Sequence, residues 1–362
     1  MKKLAIRVDG NRHIGLGHVF RCLHLAEYLQ GCGWESTFLV LQSSLESGIH
    51  RFFEDQSFDF VPVSRPDDIW EQDHEVLRRA LGQGDFDAVV LDLIQPDKED
   101  DDLNSNTEFC PMDVQACLAL IRSMGIRSLA ISDRFEPVDL VADVVVNTCP
   151  AQRAEWYEGS ESRFCVGPRY YFLPTSFQGL RHTAKVFRED RPHIVVFCGG
   201  NDHRGFTPVV LDALATLSEA MTVEVILGAA TQNGEEKCLC YEKQGIACQY
   251  GVEDMAPVLF NADFVISASG NTLFDLAALG IPAAAVSTRP RQLVTAEYFT
   301  DQGCCLNLGM EHDEIATNIR LLLPDVISSR ARLEAMSCAG KKAVDGNGME
   351  RVASVLDSFV SL

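Results

Sequence analysis

The segment Gly15-Leu16-Gly17-His18-Val19-Phe20-Arg21 combines residue types that could do chemistry. A glycine-rich turn lets backbone amides approach a ligand, and a helix that begins there presents an end that attracts anions. His18 stands at the start of the helical pattern with Arg21 three residues on, so the two side chains share a face. A proton-transfer group therefore sits beside a cation. Desolvation and the helix dipole both favour the neutral imidazole, the form able to take a proton from water. A histidine that merely caps the helix or forms a hydrogen bond is also compatible with this segment alone.

Two more turns suit phosphate. Gly199-Gly200-Asn201-Asp202 follows an apolar run, and Ser267-Ala268-Ser269-Gly270-Asn271-Thr272 leads into a helical pattern through Leu273 to Leu279. Backbone amides and hydroxyls at a helix start are natural phosphate donors. Asp275, one turn inside, is placed to accept hydrogen bonds from ribose hydroxyls, or simply to offset the helix dipole. The dinucleotide fingerprint Gly-x-Gly-x-x-Gly is not met at positions 10 to 18, and no Gly-x-x-x-x-Gly-Lys-Ser/Thr loop occurs. His13 and His18 are five apart, whereas the His-Ile-Gly-His signature of nucleotidylyltransferases needs three, and no lysine-rich companion loop follows. Nicotinamide, P-loop and nucleotidyl-transfer chemistry all lose support, and no cofactor is expected.

These turns must be held by regular elements. Leu4 to Val8 reads as a strand, and Val19, Cys22, Leu23, Ala26 and Leu29 as the buried face of the helix after it. Short apolar runs recur at Ser36 to Leu41, Phe58 to Val63, Ala88 to Leu93, Ser128 to Ser132 and Val141 to Asn147. After a loop at Gly167 to Pro174 and a polar, basic stretch from Gly179 to Arg191, the pattern restarts. His193 to Phe197 precedes the second glycine turn and a helix over Thr207 to Leu217. Strands are predicted at Thr222 to Leu227, Cys248 to Tyr250, Phe264 to Ser267, Ala283 to Val286 and Cys305 to Leu308. The alternation predicts an α/β chain of two Rossmann-like domains with mostly parallel sheets. Residues 1–180 form the catalytic half, 190–340 the nucleotide-binding half, and 341–362 a helix packing back on the first domain. Asp97 to Glu108, rich in acids, reads as a solvated loop.

Composition sets outer bounds. A net charge of -21 makes nucleic acid a poor partner. Hydrophobic residues at 46% with charged residues at 23% describe a globular chain. No stretch approaches the ~18 apolar residues of a membrane span. The apolar run after Met1-Lys2-Lys3 fails at Arg7 and Asp9, so a cytoplasmic location is expected. The 13 cysteines include no Cys-x-x-Cys pair, which predicts reduced, mostly buried thiols and no metal site.

In order along nearly the whole chain stand Ala5-Ile-Arg-Val-Asp9, Ile14-Gly-Leu-Gly-His-Val-Phe-Arg-Cys-Leu23, Gly167-Pro-Arg-Tyr170 and Phe197-Cys-Gly-Gly-Asn-Asp202. Val252-Glu-Asp-Met255, Ala262-Asp263, Ser267 to Thr272, Leu279-Gly-Ile-Pro282 and Asp345-Gly-Asn-Gly-Met-Glu-Arg351 follow. With these motifs the sequence resembles the MurG-like UDP-sugar hydrolases of pseudaminic acid biosynthesis and the related spore-coat polysaccharide proteins. The resemblance implies a glycosyltransferase-B architecture, two Rossmann-like domains facing a cleft. It further implies hydrolysis of a UDP-linked deoxy-diacetamido sugar without metal. His18 would activate water, with Arg21 and Asp9 as the other catalytic residues. Substrate and nucleotide contacts would come from Gly15, Gly17, Gly199, Gly200, Asn201, Val252, Met255, Ser269, Gly270, Asn271, Thr272, Asp275 and Gln292. Three departures matter: Asp275 replaces the usual glutamate, Arg289-Pro-Arg-Gln292 replaces Ala-Asp-Asn-Gln, and Asp92-Leu93-Ile94 replaces Asp-His-Tyr. A glycosyltransferase on the same scaffold is the nearest alternative, and a binding protein without activity the next.

Overall fold

Strands covered on both faces must be apolar throughout, and the first run, β1 (Lys2–Val8), is buried from Leu4 onward. The computed structural model describes residues 1–10, 16–63, 73–92, 114–217 and 221–360. The predicted acidic loop at 97–108 lies outside these, as do His13 and Gly15. The chain divides into one unit of Met1–Phe172 with Asn347–Leu362 and a second of Leu173–Gly346.

In the first unit β2 (Trp34–Leu41), β3 (Asp59–Val63), β4 (Ala88–Asp92), β5 (Arg127–Ser132), β6 (Val144–Asn147) and β7 (Arg163–Val166) join β1. They form a seven-stranded sheet in the order β3-β2-β1-β4-β5-β6-β7, and every pairing is parallel. β7 escaped the sequence reading because it has only four residues, with Arg163 exposed at its start. The two-residue period of a strand sorts β1 between two cores. Leu4, Ile6 and Val8 pack with Val19, Leu23, Ala26 and Leu29 of the Gly17–Gly31 helix. Ala5 faces the opposite cluster with Val89, Leu91, Leu118 and Ile121.

The Gly348–Val360 helix completes the first core with Met349, Val352 and Leu356. It lies so close to the preceding turn that a Cβ on Gly348 would collide with the carbonyl of Tyr171. Asp357, near its end, accepts from Lys2 Nζ at 2.8 Å and from Trp34 Nε1 at 2.9 Å.

The second unit repeats the plan with β8 (His193–Phe197), β9 (Thr222–Leu227), β10 (Ala247–Tyr250), β11 (Phe264–Ala268), β12 (Ala283–Val286) and β13 (Cys305–Gly309). Its six strands run in the order β10-β9-β8-β11-β12-β13, again all parallel. The molecule is thus built from two parallel-sheet Rossmann-like domains. The helix expected at Thr207 to Leu217 is Phe206–Leu214. The Asp202 carboxylate accepts from the amides of Phe206 and Thr207 and starts it earlier. Among the described residues, no helix is long and apolar enough to cross a membrane.

The expectation of uniformly reduced thiols is corrected at one place. Cys238, in the Gly234–Lys243 helix, is joined to Cys248 of β10 by a disulfide, with Cα atoms 5.2 Å apart. The tight turn between helix and strand folds the two back on each other, a juxtaposition that spacing in sequence does not reveal.

Because Leu356 is 1% exposed, Leu356→Ala should cost about 2–5 kcal/mol through lost burial and a residual cavity. All three tryptophans, Trp34, Trp70 and Trp156, belong to the first unit's segment, so the fall in urea midpoint is read from intrinsic fluorescence.

Candidate active site

In an open parallel sheet, ligands collect beyond the carboxyl ends of the strands where the order reverses. In the first unit that point lies between β1 and β4, which are neighbours in the sheet although β2 and β3 separate them in sequence. β1 ends at Val8, and His18 stands on the first turn of the Gly17–Gly31 helix. β4 ends on Asp92, and Asp133 follows directly after β5. Side chains distant in sequence therefore meet at one end of the sheet.

Their geometry is specific. His18 Nδ1 lies 2.9 Å from Asp92 Oδ1. The Arg21 guanidinium spans both carboxylates, donating from Nε to Asp92 Oδ2 and from Nη2 to Asp92 Oδ1 at 2.5 Å each. Its Nη1 donates to both oxygens of Asp133, at 2.7 and 2.8 Å. Cys22 Sγ donates to Asp92 Oδ2 at 3.3 Å. Asp92 is fully buried, whereas His18 retains 20% exposure and Asp133 47%. The helix presents His18, Arg21 and Cys22 together because residues three and four apart share a face.

Arg21 Nη2 also approaches His18 Nδ1 to 2.8 Å. A guanidinium only donates, so a bond to Nδ1 would need that nitrogen bare, while a bond to Asp92 needs it protonated. The two are exclusive. Nδ1 keeps the proton and donates to Asp92, an acceptor with no proton of its own, and Arg21 Nη2 is already committed to Asp92 Oδ1. This tautomer leaves Nε2 with its lone pair. Nε2 stands 4.0 Å from Asp133 Oδ2.

Burial opposes ionisation of Asp92, but Arg21 and His18 beside it outweigh that and hold its carboxyl well below the usual range. The same burial pushes the Cys22 thiol up, with Asp92 adding to the effect, and keeps it a neutral donor. Arg21 remains a cation because Asp133 and Asp92 overcome its own desolvation.

The remaining predicted residues of the first unit divide. Gly17 begins the helix. Asp9 is engaged elsewhere: Oδ2 accepts from the buried Arg7 at 2.6 Å, while Oδ1 accepts from the Leu41 amide at 3.0 Å and Ser44 Oγ at 3.4 Å. It ties the end of β1 to the end of β2 and forms no hydrogen bond with His18. Asp92 and Asp133 were not nominated from sequence. The available signal was an acid closing the apolar run Ala88 to Leu91, the position where a strand hands over to the site.

The second unit has the same kind of switch point, between β8 and β11. Gly199 and Gly200 follow β8, and Gly199 has φ +92, open to glycine at little cost. The Gly200 carbonyl accepts from the Ala230 amide at 3.1 Å. Asn201 is exposed beside them. After β11, Gly270 is the N-cap of the Asn271–Leu279 helix, whose first residues Asn271 and Thr272 present amides beyond the strand end. Asp275 is half-buried on the same helix. Ser269 turns inward instead, bonding the Val286 carbonyl at 3.1 Å and Ser287 Oγ at 2.9 Å. Met255 opens another helix whose N-cap is Asp254, with Val252 just before it at the exit of β10. Gln292 Oε1 accepts from both the amide and Oγ1 of Thr288 at 2.8 Å, fixing the loop after β12. Among the described residues, no group of three or more His, Cys, Asp or Glu side chains is arranged to hold a metal ion.

Residues 193–351 match the glycosyltransferase family 28 C-terminal domain. The chain is 26% identical to the spore coat polysaccharide biosynthesis protein SpsG of Bacillus subtilis (strain 168), with 98% of each covered. Among solved structures it resembles MurG of Acinetobacter baumannii, with TM-score 0.69, 18% identity, and 99% of this chain and 100% of that one covered. It also resembles CalG4, the calicheamicin glycosyltransferase, with TM-score 0.61, 15% identity, and 99% and 98% covered. The fold is therefore the one these glycosyltransferases share.

Asp92→Asn should cost about 1–3 kcal/mol near neutral pH, since it removes one of the two carboxylates that face the Arg21 guanidinium and leaves the guanidinium to Asp133 alone. The native carboxylate's contribution is complete above the ordinary carboxyl value of 3.8. It declines as pH falls below that value, because the unfolded chain takes up the proton first. Urea midpoints measured between pH ~3 and ~7 should show an acid-limb loss of stability in the native chain that is shallower in the variant.

Proposed function

We propose that this protein is a glycosyltransferase that uses a nucleotide sugar, with His18 as the general base that deprotonates the acceptor hydroxyl. The observation that carries it is the His18–Asp92 pair at the β1/β4 switch point, with Nδ1 held at 2.9 Å and Nε2 left to accept a proton. As the acceptor oxygen attacks the anomeric carbon, its proton passes to Nε2 and the bond from that carbon to the diphosphate breaks. Asp92 then stabilises the imidazolium, and the nucleoside diphosphate leaves.

The second unit supports the nucleotide role. The match to the glycosyltransferase family 28 C-terminal domain, residues 193–351, falls in this unit except for its last five residues. Within that stretch, the Gly199-Gly200 turn and the amide end of the Asn271–Leu279 helix offer donors for a departing diphosphate. Asp275 would accept from ribose hydroxyls, and Val252 and Met255 would border the base. The similarity to SpsG over 98% of the chain favours a sugar destined for a surface polysaccharide.

A second reading has water as the acceptor. It is favoured by the motif Gly15-Leu-Gly-His-Val-Phe-Arg21, through which the sequence resembles UDP-sugar hydrolases acting on deoxy-diacetamido sugars. The same base would serve, since only the oxygen it deprotonates differs. Incubation of the protein with UDP-linked sugars separates the two. UDP released only when a glycan acceptor is present supports transfer, whereas prompt release without acceptor overturns it in favour of hydrolysis.

His18→Ala should lower kcat by about 10²–10⁴-fold in either case, while UDP still raises the melting temperature as in the native chain. Undiminished turnover in that variant would remove His18 from the chemistry. Asp92→Asn should reduce kcat more than it changes KM, because it acts through the imidazole.

A further inference from the structure

The first unit carries a second polar cavity, well separated from His18. It opens at β7, the edge strand four positions from β1 in the sheet order, or roughly 19 Å away at ordinary strand spacing. Its volume is about 410 Å³, and its lining includes Arg163, Arg169, Tyr170, Asn347, Glu350 and Arg351. That size falls in the range of small-molecule sites.

The charge of this cavity runs against the rest of the chain. With 52 acidic residues against 31 lysines and arginines, arginines elsewhere commonly meet a carboxylate. Arg127 pairs with Asp143 at 3.0 Å and Arg122 with Glu161 at 3.7 Å in a neighbouring cavity of the same unit. Arg163 and Arg169 have no such partner among the described residues. Glu350 is the one acid in the lining, against three guanidinium groups.

The framework is also fixed. Arg351 Nη1 donates to the Arg169 carbonyl at 2.7 Å, which pins the Pro168–Tyr170 turn to the Gly348–Val360 helix. The absent side chain of Gly348 lets that helix lie directly on the turn. The Arg169 guanidinium rests over the Tyr170 ring, 5.4 Å from its centroid, which restricts its orientation. Cations on a strand start, a turn and a helix thus border one hollow.

We propose that Arg163, Arg169 and Arg351 form an anion-binding site for a phosphate-bearing molecule, distinct from the nucleotide-binding turns. Planar guanidinium groups match phosphate oxygens in pairs, and Tyr170 and Asn347 supply neutral hydrogen-bonding groups. The phosphate could be part of a soluble molecule or of a lipid headgroup, since both offer the same chemistry to this cavity.

The test compares the native chain with Arg163→Gln/Arg169→Gln and with an equal-charge control, Arg78→Gln/Arg122→Gln, whose arginines already face acids. Inorganic pyrophosphate is titrated calorimetrically at low salt, and flotation is measured with vesicles of phosphatidylglycerol against phosphatidylcholine. Because the second unit's glycine turns can bind pyrophosphate independently, the signal is the site that disappears in the double variant. A site weakened roughly tenfold or more in that variant alone supports the proposal with a soluble phosphate. Loss confined to phosphatidylglycerol flotation supports it with a lipid headgroup. Isotherms and flotation equal across the three proteins overturn it. Both replaced side chains are exposed, so the melting temperature should stay native. The single Arg163→Gln variant repeats the comparison should the double variant misfold.

Discussion

A carboxylate with no access to water can stay ionised only if its surroundings replace that water, and Asp92 meets this condition through four donors. Arg21 supplies two hydrogen bonds, Cys22 one, and the His18 ring the fourth. Remove the charge and Arg21 keeps only Asp133 as an anionic partner, while His18 loses the contact that sets its tautomer. The Gly17–Gly31 helix must begin with its first face toward β4, because that is where Asp92 ends the strand. The proposed chemistry and the packing at this strand end therefore share one ion pair.

Parallel strands impose the rest. Each sheet sends its strand ends in one direction, so loops from strands far apart in sequence gather at one edge. In the first unit this brings His18 to Asp92 across 74 positions, and Arg21 to Asp133 across 112. In the second unit the Gly199 turn and the Asn271 helix start are gathered in the same way. The likeness of the two halves lies in this geometry. Their strand-end residues differ, with an acid–base cluster in one and exposed backbone amides in the other.

Much of this was legible in sequence, for physical reasons. A buried parallel strand is an uninterrupted apolar run, so β1, β4, β8, β11 and β12 stand out. A helix after a glycine turn has its own period, which marked His18 and Arg21. Where burial is partial the signal fades, as in β7 with its exposed Arg163. Pairings between distant residues were not legible, because spacing carries no record of which strands become neighbours. Asp92 and Asp133 read as ordinary strand-end acids until the sheet order placed them beside Arg21. The Cys238–Cys248 link was hidden for the same reason, as were the bonds of Asp9 to Arg7, Leu41 and Ser44.

The Gly348–Val360 helix closes the first unit from the far end of the chain, after the whole second unit has been threaded in between. During synthesis the ribosome therefore releases the second unit's complete sequence before the first unit has its last core helix. Until Met349, Val352 and Leu356 emerge, the core they complete against β5, β6 and the Gly17–Gly31 helix lacks those side chains. The second unit, continuous in sequence, has no such wait. The earlier-made half of this protein thus receives its last described core helix only after the second unit's sequence is complete.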